Sequence, residues 1–354
     1  MFQGWVVAEL SSLTVVPKSM KEWKMDSYDI IGEVHGCAFK LEAMLDELGY
    51  RIDPWTGAYK HESRRAVFVG DLIDRGPSQL RSLEIVKAMA DVGSALVIMG
   101  NHEFNAIAYS TPDPREPKRF LRDHSPKNRS QHEAFLCQLT ESLRHQYLSW
   151  FRTLPLWLEL DGFRVVHACW HDSSIDVLRR ELGSNRLSSL GQLVDATTKG
   201  SALFDAVEVV LKGPELNLDR YGATPFKDKD GHLRADARIR WWNREADRLT
   251  DLAEIPKGSK TEDDQKYPGL PDEPLLEEDR SFAYGESIPV FYGHYWRQGL
   301  PHKLEDWTLK TACVDFSAVK DGTLVAYRWD GEQDIDPSHY HPHGPNLVRP
   351  TPSV

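Results

Sequence analysis

"SYDIIGEVHGC", residues Ser27–Cys37, decides the reading of the fold. A short apolar strand, Tyr28–Ile31, runs into a tight glycine-bearing turn that presents Glu33 and His35, a carboxylate and an imidazole two residues apart. The pattern then alternates. A helix carries Leu41, Leu45 and Leu48 on one face, and a strand follows over Ala66–Val69. A second helix spans Gln79–Ala90, and a third strand spans Leu96–Met99. Such a βαβαβ series builds a sheet with helices on its faces, and its ligand sites collect in the loops at the carboxyl ends of the strands. Glu33 and His35 sit in the first of those loops.

The remaining chain bounds what this core can serve. With 354 residues, 40% hydrophobic and 27% charged, it has enough apolar material for a full globular core. The formal net charge of −11 argues against general nucleic-acid or anionic-membrane binding, which calls for a basic surface. Phosphate substrates that are small or metal-shielded stay open. The four cysteines, Cys37, Cys137, Cys169 and Cys313, form no CxxC pair, so neither a disulfide scaffold nor a zinc knuckle is indicated. No apolar run approaches the roughly 18 residues of a membrane helix. "MFQGWVVAEL" lacks the basic start and small-residue cleavage site of a signal peptide. A cytoplasmic chain is the expectation.

Residues 1–24 show no period and read as an extension or an upstream start, and the core begins at 25. "LWLELDGFRVVHACW" reads as two strands joined at Asp161-Gly162, and "VDFSAVKDGTLVAYRWDG" reads as the same hairpin device around Asp321-Gly322. Between them, residues 172–287 are long and polar and read as an inserted cap. The core would then comprise residues 25–171 and 288–333. The Pro- and His-rich tail, 334–354, reads as disordered, and its "HYHPH" as a solvated tract.

Polar residues gather where strands end. Glu33 and His35 follow the first, "GDLIDRGP" (Asp71, Asp74, Arg75) the second, and "GNHE" (Asn101, His102, Glu103) the third. His167 in "VVHA" and His294 in "FYGH" each follow a later apolar strand. A mixed set of carboxylates, imidazoles and an amide suits manganese, iron or zinc.

These five motifs, in this order, resemble the signature of calcineurin-like metallophosphoesterases, and within them the bacterial phosphoprotein-phosphatase and symmetrical diadenosine-tetraphosphatase branch. The motifs cover about residues 28–170 and 288–330. The resemblance implies a four-layer αββα sandwich of two mixed sheets flanked by helices, with two divalent metals, Mn²⁺ being the best guess. Glu33, His35 and Asp71 would hold the first metal. Asp71 would bridge to a second held by Asn101, His167 and His294. A hydroxide on the metal pair would attack phosphorus in line. His102 would be the general acid, with Asp74 orienting its ring, and Arg75 would fork onto the phosphate oxygens.

Where the family pattern has Asp, this chain has Glu33, whose arm is one methylene longer and which reads as an adjusted ligand. Asp29 reads as a strand hydrogen-bonder, His171 as outside the metal shell, and Cys37 and Cys169 as packing residues. "RIRWWNRE" sets Arg238 and Arg240 beside Trp241 and Trp242, which read as core anchors first. Arg240, "LKGPE" (Leu211–Glu215) and Arg297 are the candidates for leaving-group or substrate contacts. Three functions fit: a phosphoesterase acting on small phosphate esters or phosphoproteins, a dinucleoside-polyphosphate hydrolase, and a non-catalytic metal-binding or scaffolding descendant. The oligomeric state is open.

Overall fold

The computed structural model describes residues 27–228 and 231–343, so the extension over residues 1–24 and the tail beyond His343 lie outside the described residues. Two mixed sheets form the centre. The five-stranded sheet has the order Tyr340–His343, Leu324–Trp329, Ser27–Ile31, Arg64–Phe68, Ala95–Val97, with the last three parallel and the first two antiparallel additions. The four-stranded sheet has the order Thr311–Cys313, Val290–Tyr292, Phe163–Val166, Trp157–Leu160; only its outer hairpin, turning at Asp161-Gly162, is antiparallel.

The period of two along each strand explains how the sheets stack. Ile30, Val67, Val69, Val325 and Tyr327 from one sheet meet Phe163, Val165, Phe291 and Ala312 from the other in one buried core. Phe163 is the wedge of this layer, in ring contact with Phe291, Trp329 and Tyr28. Truncating such a residue to Ala typically costs about 3–5 kcal/mol. Ile31 and Phe68 point to the opposite face, where Leu41 and Leu45 of helix Ala38–Leu48 and Leu83 and Val86 of helix Gln79–Asp91 join them.

The outer layer on the other side comes from a segment expected to be cap. Helices Asp172–Leu182 and Ala202–Lys212 bury Ile175, Leu178, Val207 and Val210, and the Ala168 N–H donates to the Val210 carbonyl at 2.9 Å. Their apolar faces recur at helical spacing inside a polar stretch, which hides them from a composition reading. The remainder holds a small sheet of Glu215–Asn217, Asp236–Ile239 and Ala253–Glu254. Four αββα layers result.

Two further expectations are corrected. The strands flanking Asp321-Gly322 are not a hairpin, because Thr311–Cys313 and Leu324–Trp329 belong to different sheets. Between the two strands the Asp315 carboxylate accepts from Ser317 N–H at 3.0 Å and from Trp296 N–H at 2.6 Å. The tail is ordered at least to His343, since Tyr340–His343 pairs with Leu324–Trp329 and the Tyr340 hydroxyl donates to the Cys313 carbonyl.

Candidate metal centre

The parallel strands Ser27–Ile31, Arg64–Phe68 and Ala95–Val97 end side by side, and so their following loops meet. Gly70, with φ of +93°, lies against the Gly100 backbone, and a Cβ on Gly100 would overlap the Asp71 carboxylate, so these two loops touch only because both positions lack side chains. His35, Asp71, Asp74, Arg75 and His294 all have φ between 44° and 72°. Left-handed backbone at non-glycine residues costs of the order of 1–3 kcal/mol each and gathers where a site imposes it.

Glu33, His35, Asp71 and His167 are buried. The His35 Nδ1–H donates to the Ile73 carbonyl and the His167 Nδ1–H to the Val69 carbonyl, each at 2.7 Å, so both rings turn an Nε2 lone pair towards the cluster. His35 Nε2 lies 3.2 Å from Glu33 Oε2 and 3.7 Å from Asp71 Oδ2. His167 Nε2 lies 3.5 Å from Asp71 Oδ1 and 3.0 Å from Asn101 Oδ1. His294 presents Nδ1, also 3.0 Å from Asn101 Oδ1. All six ligand candidates thus converge, with Asp71 in the middle. Glu33 spans its extra methylene by folding its Oε1 onto the His294 N–H, beside Gly293.

These contacts fit a cation. Glu33 Oε2 and His35 Nε2 are buried without hydrogen-bond partners. With its Nδ1–H given to Val69, His167 turns its other ring nitrogen to the Asn101 side-chain oxygen, a pair of donor atoms a cation can share. Burial pushes the Glu33 carboxyl up to about 8, with Asp315 adding to it and His167 opposing. Burial likewise raises Asp71 to about 6, with His102 opposing and Glu33 adding. Burial holds His35 and His294 below the ordinary imidazole range, which keeps their lone pairs free. Among the described residues no lysine or arginine lies within 4 Å of the Glu33 and Asp71 carboxylates, and a divalent ion is what such a donor set accepts. Two triads, His35–Asp71–His102 and Glu33–Asp71–His167, have their ligand atoms within 4.8 Å of one another.

His102 stands at the edge of this cluster. Its backbone N–H donates to Asp71 Oδ1 at 2.9 Å, its Nδ1–H donates to Asp74 Oδ2 at 2.5 Å, and its Nε2 lies 3.8 Å from Asp71 Oδ2. Burial lowers the His102 pKa, opposed by the charges of Asp71 and Asp74. Burial alone would raise the Asp74 carboxyl, but hydrogen bonds from His102 and His132 override it and hold Asp74 well below the usual carboxylate range. The exposed Arg75 guanidinium stacks on Trp296 with 4.0 Å from its carbon to the ring centre.

Several candidates go elsewhere. Arg297 is buried and committed, its guanidinium paired with Glu254 and 3.2 Å from Asp306. Burial opposes its charge, yet those carboxylates keep it firmly protonated. It is therefore not free for substrate. Arg240 is held by its backbone to Leu252, whereas Arg238, two residues earlier, brings Nη1 to 3.5 Å from the His294 carbonyl. Lys212 of "LKGPE" pairs with Glu208, and its charge acts on His294 together with that of Arg238. Trp241 and Trp242 are buried anchors: their indole N–H groups donate to the carbonyls of Ala168 and Leu304. Asp29 hydrogen-bonds Arg64 and Arg328 within its sheet, and His171 bonds Ser174 at the start of helix Asp172–Leu182.

Sequence reasoning passed over His132 and Asp315, named Glu103 only as part of its motif without a role, and named Arg238 only beside the tryptophans. Glu103 carries a readable signal, an acid at the third position of a helix that opens with Gly100 as its cap. Asp315 follows a strand end directly, as the ligand candidates do. His132 has no local signal, since it meets Asp74 across 58 residues.

A family model described as calcineurin-like phosphoesterase matches residues 28–256, and the chain belongs to this family. It is 32% identical over 141 residues to the asymmetrical bis(5'-nucleosyl)-tetraphosphatase PrpE of Oceanobacillus iheyensis, covering 40% of this chain and 54% of that protein. It is 30% identical over 140 residues to the symmetrical bis(5'-nucleosyl)-tetraphosphatase of Aromatoleum aromaticum, covering 39% and 42% respectively. The chain thus spans about half the length of these relatives. A solved protein serine/threonine phosphatase from Saccharomyces cerevisiae aligns over 92% of this chain and 81% of its own, with 12% identity and a TM-score of 0.43.

Proposed function

We propose that this protein is a metal-dependent phosphoesterase in which Glu33, His35, Asp71, Asn101, His167 and His294 hold two divalent ions, Mn²⁺ best matching the mixed carboxylate, amide and imidazole donors. The observation that carries the reading is the convergence of these six groups on a buried, cation-poor cluster beside a hydrogen-bonded His102–Asp74 pair. Bound there, divalent ions supply charge neutralisation for a phosphoryl group and a nucleophile from water at neutral pH. The chain's own residues do the rest. Arg75, rigidified on Trp296, donates two parallel N–H groups to the non-bridging phosphate oxygens, and Arg238 supports the group from the His294 side. His102, oriented by Asp74, delivers a proton from Nε2 to the leaving oxygen. A binding module would not need a leaving-group acid with its own orienting carboxylate, which disfavours the scaffold reading.

A second reading, hydrolysis of dinucleoside polyphosphates, is favoured by the names of the relatives and by Arg238 beside His294. Reconstitution with Mn²⁺ after chelation, followed by mass spectrometry of products from an aryl phosphate, a phosphoserine peptide and diadenosine tetraphosphate, tests both. Turnover should vanish on chelation and return with Mn²⁺. Full activity with the sites demonstrably empty would refute the metal reading, and the product masses choose between ester and anhydride.

A further inference from the structure

The Asp74 carboxylate is held at both ends. His102 Nδ1–H donates to its Oδ2 at 2.5 Å, and His132 Nδ1–H donates to its Oδ1 at 2.8 Å. Since a carboxylate only accepts, both imidazoles are the donors. His132 is 5% exposed and Asp74 2%, so water does not substitute for either partner. The His132 ring is fixed as well: it stacks on Phe135 at 4.9 Å and meets the edge of Tyr109 at 5.6 Å. Its backbone is pinned at the junction of two short helices, Pro126–Gln131 and Glu133–Gln138, where its N–H reaches the carbonyls of Asn128 and Arg129. Its Nε2 is buried with no hydrogen-bond partner, so the proton sits on Nδ1, where the carboxylate receives it.

We infer that His132 is a positioning residue: it locks the rotation and charge of Asp74, and through Asp74 the ring of His102, making a His102–Asp74–His132 array. This rests on the general-acid role proposed for His102. Without His132, one Asp74 oxygen would be buried and unsatisfied. The carboxylate would turn to find a donor, and its alignment on His102 would loosen. His132 touches no reacting atom, so its removal acts only through that alignment.

The test compares His132→Leu, which removes the donor, with His132→Asn, whose amide N–H can occupy the Nδ1 position. In the Mn²⁺-loaded full chain, His132→Leu should keep both ions and lose about 10–100-fold on an alkyl phosphate, with a much smaller loss on nitrophenyl phosphate. His132→Asn should restore most of the turnover. A readout independent of activity is the downfield ring N–H proton of His102 in proton NMR of the metal-free protein. It should shift or broaden in His132→Leu and persist in His132→Asn. Equal losses on both esters, no rescue by Asn, or an unchanged His102 proton in His132→Leu would each overturn the inference and leave His132 as packing. If the wild-type chain hydrolyses neither ester, the proposed function falls, and the NMR comparison alone decides on His132.

Discussion

Asp29, in the middle of strand Ser27–Ile31, and Glu33, two residues past its end, are both buried, and the chain treats them in opposite ways. Asp29 receives Arg64 Nε at 2.9 Å and Arg328 Nε at 3.1 Å, so its charge is neutralised by the protein itself. Glu33 and its neighbour Asp71 have no lysine or arginine within 4 Å among the described residues, only imidazoles. Desolvating a lone carboxylate is expensive unless something positive arrives. A buried acid paired with arginine is part of the frame. One left among imidazole lone pairs is a socket. Asp74 falls between these cases, since its two partners are imidazole donors and not permanent cations.

Substitutions can break this contrast. The largest effect is expected at the socket: Glu33→Ala should weaken metal binding by more than about 100-fold, beyond what losing a supporting contact costs, and bring hydrolysis to background. Glu33→Asp keeps the charge and should retain both ions with a modest change in turnover. Calorimetric metal titration with parallel activity decides the point, and two tight ions with full turnover in Glu33→Ala would make Glu33 a turn residue like any other. At the intermediate carboxylate, His102→Asn should lose about 10²–10⁴-fold on alkyl phosphates, less on nitrophenyl phosphate, and neither ion. Asp74→Asn should follow the same pattern more weakly. Loss of an ion from His102→Asn would place His102 in the coordination shell, where its Nε2 distance to Asp71 also permits it.

The smallest catalytic effect is expected at the frame. Arg64→Leu should cost about 1–3 kcal/mol of stability in urea unfolding, because it leaves the buried Asp29 with Arg328 alone, while turnover per folded molecule stays unchanged. A variant that unfolds no more easily but binds metal poorly would show that the strand around Asp29 and the loop holding Glu33 are not independent.

The αββα sandwich was legible through the family resemblance that the strand-end motifs carry, and short parallel strands, which force their following loops together, bring Glu33, His35, Asp71, Asn101, His167 and His294 to one place. Asp29 was legible for the complementary reason, as its place within a strand denies it access to that loop cluster. Other features depend on pairing that local sequence does not encode. Asp321-Gly322 signals a turn, but which sheet receives the next strand is set by Leu324–Trp329 finding Ser27–Ile31. Arg297 follows the "GHYW" stretch as a substrate-contacting residue would, yet Glu254, 43 residues away, claims it. The helices inside the polar segment 172–212 became visible only through the apolar face they bury.

Glu103 gives the site its remaining property. Its Oε2 accepts from the N–H groups of Asp71 and Gly100, and its Oε1 from that of Leu72, at 2.8–2.9 Å. One side chain thus closes two loops on each other before any ion is bound. The conformational entropy of arranging the ligands is lost when the protein folds, not when the ion associates, so the affinity for metal is not reduced by loop ordering. The arrangement also sets a limit: loops tied through a single carboxylate cannot yield independently, so an ion too large for the gap around Asp71 is met by resistance from the whole cluster rather than by one loop giving way.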